Sequence, residues 1–115
     1  MNWKSIRLEL GSTGDYPAGS VSRAYLIRLP LDDHDTVDRT AFLETPAKAI
    51  VRRHWPAQPD ERGLLVQSGS DWTMFCDNQE RRVLRLDGTP LRLGLHVSVV
   101  EADGTILPFK VASVR

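Results

Sequence analysis

Apolar residues recur at every second position through most of this chain. Ile6, Leu8 and Leu10 alternate with Arg7 and Glu9, and Tyr25, Ile27 and Leu29 repeat the spacing before Pro30. Arg82, Leu84 and Leu86 alternate with Arg81, Val83 and Arg85. Near the C-terminus Leu95, Val97 and Val99 alternate with His96 and Ser98, and Leu107, Phe109 and Val111 alternate with Pro108 and Lys110. Period two is the mark of strands that bury one face.

The residues between these runs set the pairing. Glu101-Ala102-Asp103-Gly104-Thr105 admits two registers. A two-residue Asp-Gly loop pairs Ala102 with Thr105 and puts Val100, Leu107 and Phe109 on one face with His96 and Ser98. A three-residue loop with Gly104 at positive φ pairs Glu101 with Thr105 and sets Val97 opposite Phe109. A one-residue slip inverts every side chain, so burial favours the three-residue loop. Gly69-Ser70 predicts a second hairpin with a type II′ turn, pairing Leu65 with Met74 and Leu64 with Phe75. Both of its faces carry apolar groups, which suits a central position or a cover over a groove. Between 49 and 55, Ala49 and Val51 share a face with Arg53 and Trp55, while Lys48, Ile50, Arg52 and His54 share the other. Neither face is cleanly apolar. Residues 56–63, with two prolines, read as a rigid polar connection, and Asp87-Gly88-Thr89-Pro90 as a turn.

One short helix is expected near 38–45. Asp38 is a suitable N-cap, Val37 and Phe42 form a hydrophobic staple, and Pro46 stops the helix near Glu44. Together these elements predict one mainly β domain over 1–115, a small partly open antiparallel barrel or bent sandwich of about eight strands. Pro108 on the outward face suggests an edge or a gap in the ladder. Leu8, Ile27, Val97 and Phe109 should meet in the interior, with the guanidinium groups outside or at a rim.

The composition narrows the function only a little. Fifteen basic residues balance 15 acidic ones, which argues against a general polyanion binder. Cys76 is the single cysteine, so no internal disulfide forms and a reducing compartment fits. No apolar stretch is long enough for a signal peptide or membrane helix, and a cytoplasmic location is expected.

Candidate chemistry is sparse. The glycine-rich stretch 11–20 lacks the lysine and spacing of a phosphate-binding loop. The run Asp32-Asp33-His34-Asp35-Thr36-Val37-Asp38 invites a cation, but an EF-hand register from Asp33 puts Val37 at position five and Asp38 where glycine is required. A solvated loop with a helix cap explains it better. His34, His54 and His96 lack zinc-type spacing with each other or with Cys76. Cys76 has no base beside it in sequence, so a structural role is expected. No catalytic residue, metal or cofactor is assigned.

Charge distribution offers more. Segment 31–46 carries five acids against Arg39, and 81–92 carries four arginines against Asp87. Arg52 and Arg53 precede His54 and Trp55. The leading expectation is a non-enzymatic binding module for an unknown protein or a small anionic ligand, through Arg52, Arg53, Trp55, Arg82 and Arg85, with Trp55 and Trp72 as aromatic anchors. One alternative is a small hydrolase or isomerase using Cys76 or a histidine–carboxylate pair. Another, less favoured by the neutral charge, is a single-stranded nucleic-acid binder.

Several stretches resemble a family of short uncharacterised bacterial proteins of about this length, to which no activity is assigned. They are Ser5-Ile6-Arg7-Leu8-Glu9-Leu10, Arg28-Leu29-Pro30-Leu31, Val51-Arg52-Arg53-His54-Trp55-Pro56, and Glu101-Ala102-Asp103-Gly104 with Leu107-Pro108-Phe109. The resemblance implies no site residues.

Overall fold

The computed structural model describes residues 2–76, 79–86 and 88–115. Eight antiparallel strands follow one another around a closed ring: β1 (Trp3–Leu10), β2 (Ser20–Pro30), β3 (Ile50–His54), β4 (Glu61–Ser68), β5 (Asp71–Cys76), β6 (Gln79–Arg85), β7 (His96–Val100) and β8 (Ile106–Val114). Each strand pairs with its sequence neighbours, and β8 returns to β1 to close the ring. The expected mainly β barrel is what forms, and the ring closes completely rather than in part.

Pro108 does not mark an edge. Its carbonyl accepts from Gly11 N at 2.9 Å, where the β1–β8 ladder runs out. A residue's N and C=O point to the same side of a strand, so the donor that proline lacks would also face β1, beyond the last pair. The β7–β8 register sets Val97 opposite Phe109 and Val99 opposite Leu107. Glu101 N donates to Thr105 O, and Gly104 has φ 88°, so the loop is the three-residue one. The β4–β5 hairpin pairs Leu65 with Met74 and Leu64 with Phe75 across the Gly69-Ser70 turn. The turn expected at 87–90 includes Asp87, which lies outside the described residues.

Register shifts at Glu9/Leu10, Arg7/Leu8 and Met74/Phe75 bend the strands, as bulges do where a sheet must curl shut. Gly63 serves the same end on the inner face. A Cβ there would lie 2.2 Å from the Phe75 carbonyl oxygen, so only glycine lets β4 and β5 approach so closely.

The two ends of the barrel differ. One is plugged by the segment between β2 and β3. It carries α1 (Arg39–Glu44), whose N-cap Asp38 accepts from Ala41 N at 3.1 Å, followed by a 3-10 turn at Pro46–Lys48. Phe42 points into the barrel and meets Trp72 edge-on, with ring centroids 4.7 Å apart. Leu86 and Leu91 are also buried there, and Leu91 N donates to Asp35 O at 2.8 Å, tying the 86–95 connection to the acidic loop. Leu8, Ile27, Val97 and Phe109 all lie in the core with Trp72 and Tyr25. Among the described residues no helix is long and apolar enough to cross a membrane.

Candidate functional site in the barrel mouth

The other end is open. Strand parity carries Arg53 inward from β3, on the face of Val51, and Arg82 inward from β6, on the face of Leu84. Both arginines are over nine-tenths buried. Charged residues at inward positions need partners, because stripping water from an ion costs several kcal/mol. The partners are Glu61 at the start of β4 and Glu101 just after β7.

The four side chains form a ring of alternating charge. Arg53 Nη2 donates to Glu101 Oε1 at 3.1 Å, and Arg82 Nε approaches the same oxygen at 3.4 Å. Glu61 Oε2 lies 2.9 Å from Arg82 Nη1 and 3.5 Å from Arg53 Nη1. The Arg82–Glu61 contact is short but not aligned as a hydrogen bond, so it holds by charge. Arg53 Nη1 donates instead to Gln58 Oε1 at 3.1 Å. Tyr25, cross-strand neighbour of Arg53, donates its hydroxyl to Glu101 Oε2.

The electrostatics follow from this packing. Burial, and then the negative charge of Glu101, push the Tyr25 phenol far above its ordinary pKa, so it stays a donor. Burial works against the charge on Arg82, but Glu61, Tyr25 and Glu101 outweigh it and hold the guanidinium more basic than usual. Glu101 takes donors on both oxygens. The ring therefore supplies fixed donors and charge rather than a spare base.

Above the ring lies a cleft of about 680 Å³. Arg53, Trp55, Arg82 and Glu101 line it, and the 11–19 loop supplies Thr13 and Tyr16 to its lip. Arg53 stacks on the Trp55 ring at 4.0 Å, and Arg23 stacks on Tyr16 at 4.1 Å. Trp55 and Gln58 are aimed by the turn 55–58, where Ala57 has φ 61°. A left-handed non-glycine residue costs on the order of 1 kcal/mol and persists where its surroundings demand it. Two guanidinium nitrogens of these arginines are buried with no hydrogen-bond acceptor among the described residues, Arg53 Nε and Arg82 Nη1, and the second of them lies against Glu61.

The five residues singled out from the sequence divide by parity. Arg53, Trp55 and Arg82 share the cleft. Arg52 and Arg85, odd steps away on the same strands, point outward; Arg52 is half-exposed, 3.9 Å from Asp60, and Arg85 is exposed. Trp72 sits in the core against Phe42, at the plugged end, and is no mouth anchor. Of the two places expected for the guanidinium groups, outside or at a rim, Arg53 and Arg82 take the rim, and they are buried there because paired carboxylates share their burial.

Sequence reasoning did not single out Glu61, Glu101, Tyr25, Tyr16 or Arg23. One signal was present: an arginine at the inward parity of Val51 requires an inward carboxylate. Nothing in the sequence says which one. Cys76 is buried on β5. His54 Nδ1 does lie 2.9 Å from Asp60 Oδ1, but this pair is on the outer surface and does not line the cleft. In the acidic loop Asp32 accepts from His34 N, Thr36 N and the Thr36 hydroxyl, while Asp35 pairs with Arg92 at 2.8 Å. Among the described residues no group of three metal-ligating side chains converges.

Fold and cleft define a class: an up-and-down eight-stranded barrel, plugged at one end, with a polar site in its mouth. Eight strands leave an interior that side chains just fill or that holds one small ligand. No protein-family model, curated protein or solved structure matches the chain.

Proposed function

We propose that this protein is a non-enzymatic binding barrel that takes one small ligand in its mouth. The ligand presents a planar group to Trp55 and a carboxylate- or phosphate-type oxygen to Arg53. The observation that carries this reading is Arg53 in the lining of the cleft, whose buried Nε has no acceptor among the described residues. An unsatisfied buried donor costs about 1–3 kcal/mol, and a ligand oxygen removes that cost.

The charge inventory bounds the ligand. Arg23, Arg53 and Arg82 in the lining are matched by Asp15, Glu101 and Asp103. That balance favours one acidic group on a small molecule over a polyanion, and so weighs against single-stranded nucleic acid. It also favours binding over catalysis, since Glu101 is saturated with donors and Tyr25 is held neutral. We place the protein in the cytoplasm, which its one buried cysteine suits.

Thermal unfolding and tryptophan fluorescence with benzoate, indole-3-acetate, phenyl phosphate and neutral benzamide test the proposal. At one hundred times its Kd a ligand adds about 2.7 kcal/mol to stability. At least one of the acids should raise Tm and benzamide should raise it less, with the effect lost in Trp55→Ala. Equal shifts in Trp55→Ala and the parent, or no shift with any acid at millimolar concentration, would reject the mouth as the site.

A further inference from the structure

The outer wall of the barrel carries a second surface, independent of the mouth. Register places Arg7, Leu26, Arg52 and Arg62 side by side across β1–β4. The adjoining row contains Ser5, Arg28, Ile50 and Leu64. Leu26 and Ile50 thus sit among guanidinium groups, and they floor a groove of about 370 Å³ whose sides are Arg28, Arg52 and Arg62.

The charges on this wall are poorly matched. Arg7 is neutralised by Glu9 at 2.8 Å. Among the described residues Arg28 reaches only the Ser5 hydroxyl, and Arg52 is 3.9 Å from an Asp60 already engaged by His54. Arg62 has no carboxylate within 4.0 Å among the described residues. Moreover Arg52 and Arg62 are directly opposed across the β3–β4 ladder, where like charges destabilise a sheet. In a chain of zero net charge this is a local excess of positive charge around exposed aliphatic side chains; Ile50 is 50% and Leu64 42% exposed.

We infer that this wall docks an acidic polypeptide segment of another protein. Its carboxylates pair with Arg28, Arg52 and Arg62, and an aliphatic side chain enters the groove over Leu26 and Ile50. Guanidinium forks match carboxylates two bonds at a time. The groove admits a side chain rather than a flat bilayer, and among the described residues its lining holds no aromatic ring on which a nucleic-acid base would stack.

The opposed pair supplies an unusual test. Arg62→Glu should convert the Arg52–Arg62 repulsion into an attraction, so Tm should hold or rise while the docking surface is lost. The probe is a short fluorescein-labelled peptide of glutamate and leucine, read by anisotropy at low salt. The parent protein should bind it saturably. Arg62→Glu should weaken it by at least about tenfold, or ~1.4 kcal/mol. Arg28→Gln should weaken it less, and a peptide of glutamate and serine should bind more weakly than the leucine one. Trp55→Ala should leave this binding unchanged, which separates the wall from the mouth. Absence of saturable peptide binding, or an Arg62→Glu variant that binds as well as the parent, overturns the inference. So does preference for phosphatidylserine vesicles or a mixed-sequence RNA oligonucleotide over the peptide.

Discussion

Tyr25 shows how much one buried hydroxyl controls. It is packed against Phe109, with ring centroids 5.0 Å apart, and its OH meets a carboxylate that also serves two arginines. Tyr25→Phe keeps the ring packing and removes only the donor, so a loss of about 2 kcal/mol is expected by chemical denaturation. The pH dependence has a definite sign. The folded-state pKa is raised above the ordinary 10.0, so the stabilisation is complete below about pH 10 and lost as pH rises beyond it. Alkaline titration should show Tyr25 phenolate absorbance only as the protein unfolds, and Tyr25→Phe should flatten the alkaline limb of the stability curve. At this scale the sequence was legible only in part. Tyr25 was readable as inward by its alternation with Ile27 and Leu29. Its partner Glu101 is separated from it by most of the chain, and no local pattern links them. Arg53 was readable as inward too, whereas its neighbour Arg52 differs by one step of the pleat and by nothing in chemistry.

Among the elements, α1 was the most locally specified. Asp38, Phe42 and Pro46 predict its start, its buried contact and its stop, and the helix runs Arg39–Glu44. Its stability cannot come from its six residues, because isolated helices so short do not hold in water. It comes from Phe42 against Trp72. Phe42→Ala should therefore cost roughly 3–5 kcal/mol, and Asp38→Ala about 1 kcal/mol, measured by urea unfolding. If Asp38→Ala costs as much as Phe42→Ala, the helix is held by its cap and not by its plug contact. The hairpins were nearly as legible, because Gly104 and Gly69 each suit one turn geometry and burial chose between the two registers at Gly104. The connection expected over 56–63 ends sooner than its composition suggests. Glu61 belongs to β4 and turns inward, since its β-ladder partner is Arg53.

For the molecule as a whole, closure of β8 on β1 joins the two ends of the chain. Ile6 lies opposite Val114, so these contacts enclose nearly the entire sequence. The other pairings join consecutive strands, but all-β domains as a class fold in milliseconds to seconds, and stopped-flow refolding should fall in that range. One continuous core runs from Phe42 and Trp72 at the plug to Tyr25 and Phe109 below the mouth. Equilibrium unfolding should accordingly be a single transition, with tryptophan fluorescence and far-UV circular dichroism coincident. A separate early loss of fluorescence in a Trp3→Phe/Trp72→Phe double variant, where Trp55 alone reports on the mouth, would show the polar end melting independently.

Alternation and turn residues were enough to determine a β-rich domain, its strand number, the hairpin registers and the capped helix. Each is set by contacts within a few residues or across one tight turn. Ring closure, the plug at one end and the Arg53–Glu101–Arg82–Glu61 ring were decided only by the tertiary structure. A buried charge selects its partner by position in space, and the partners here come from β3, β4, β6 and the β7–β8 turn, stretches with no shared periodicity. Pro108 makes the same point in miniature: by itself it reads as an edge or a gap in the ladder, and only the place where β1 ends makes its missing donor harmless.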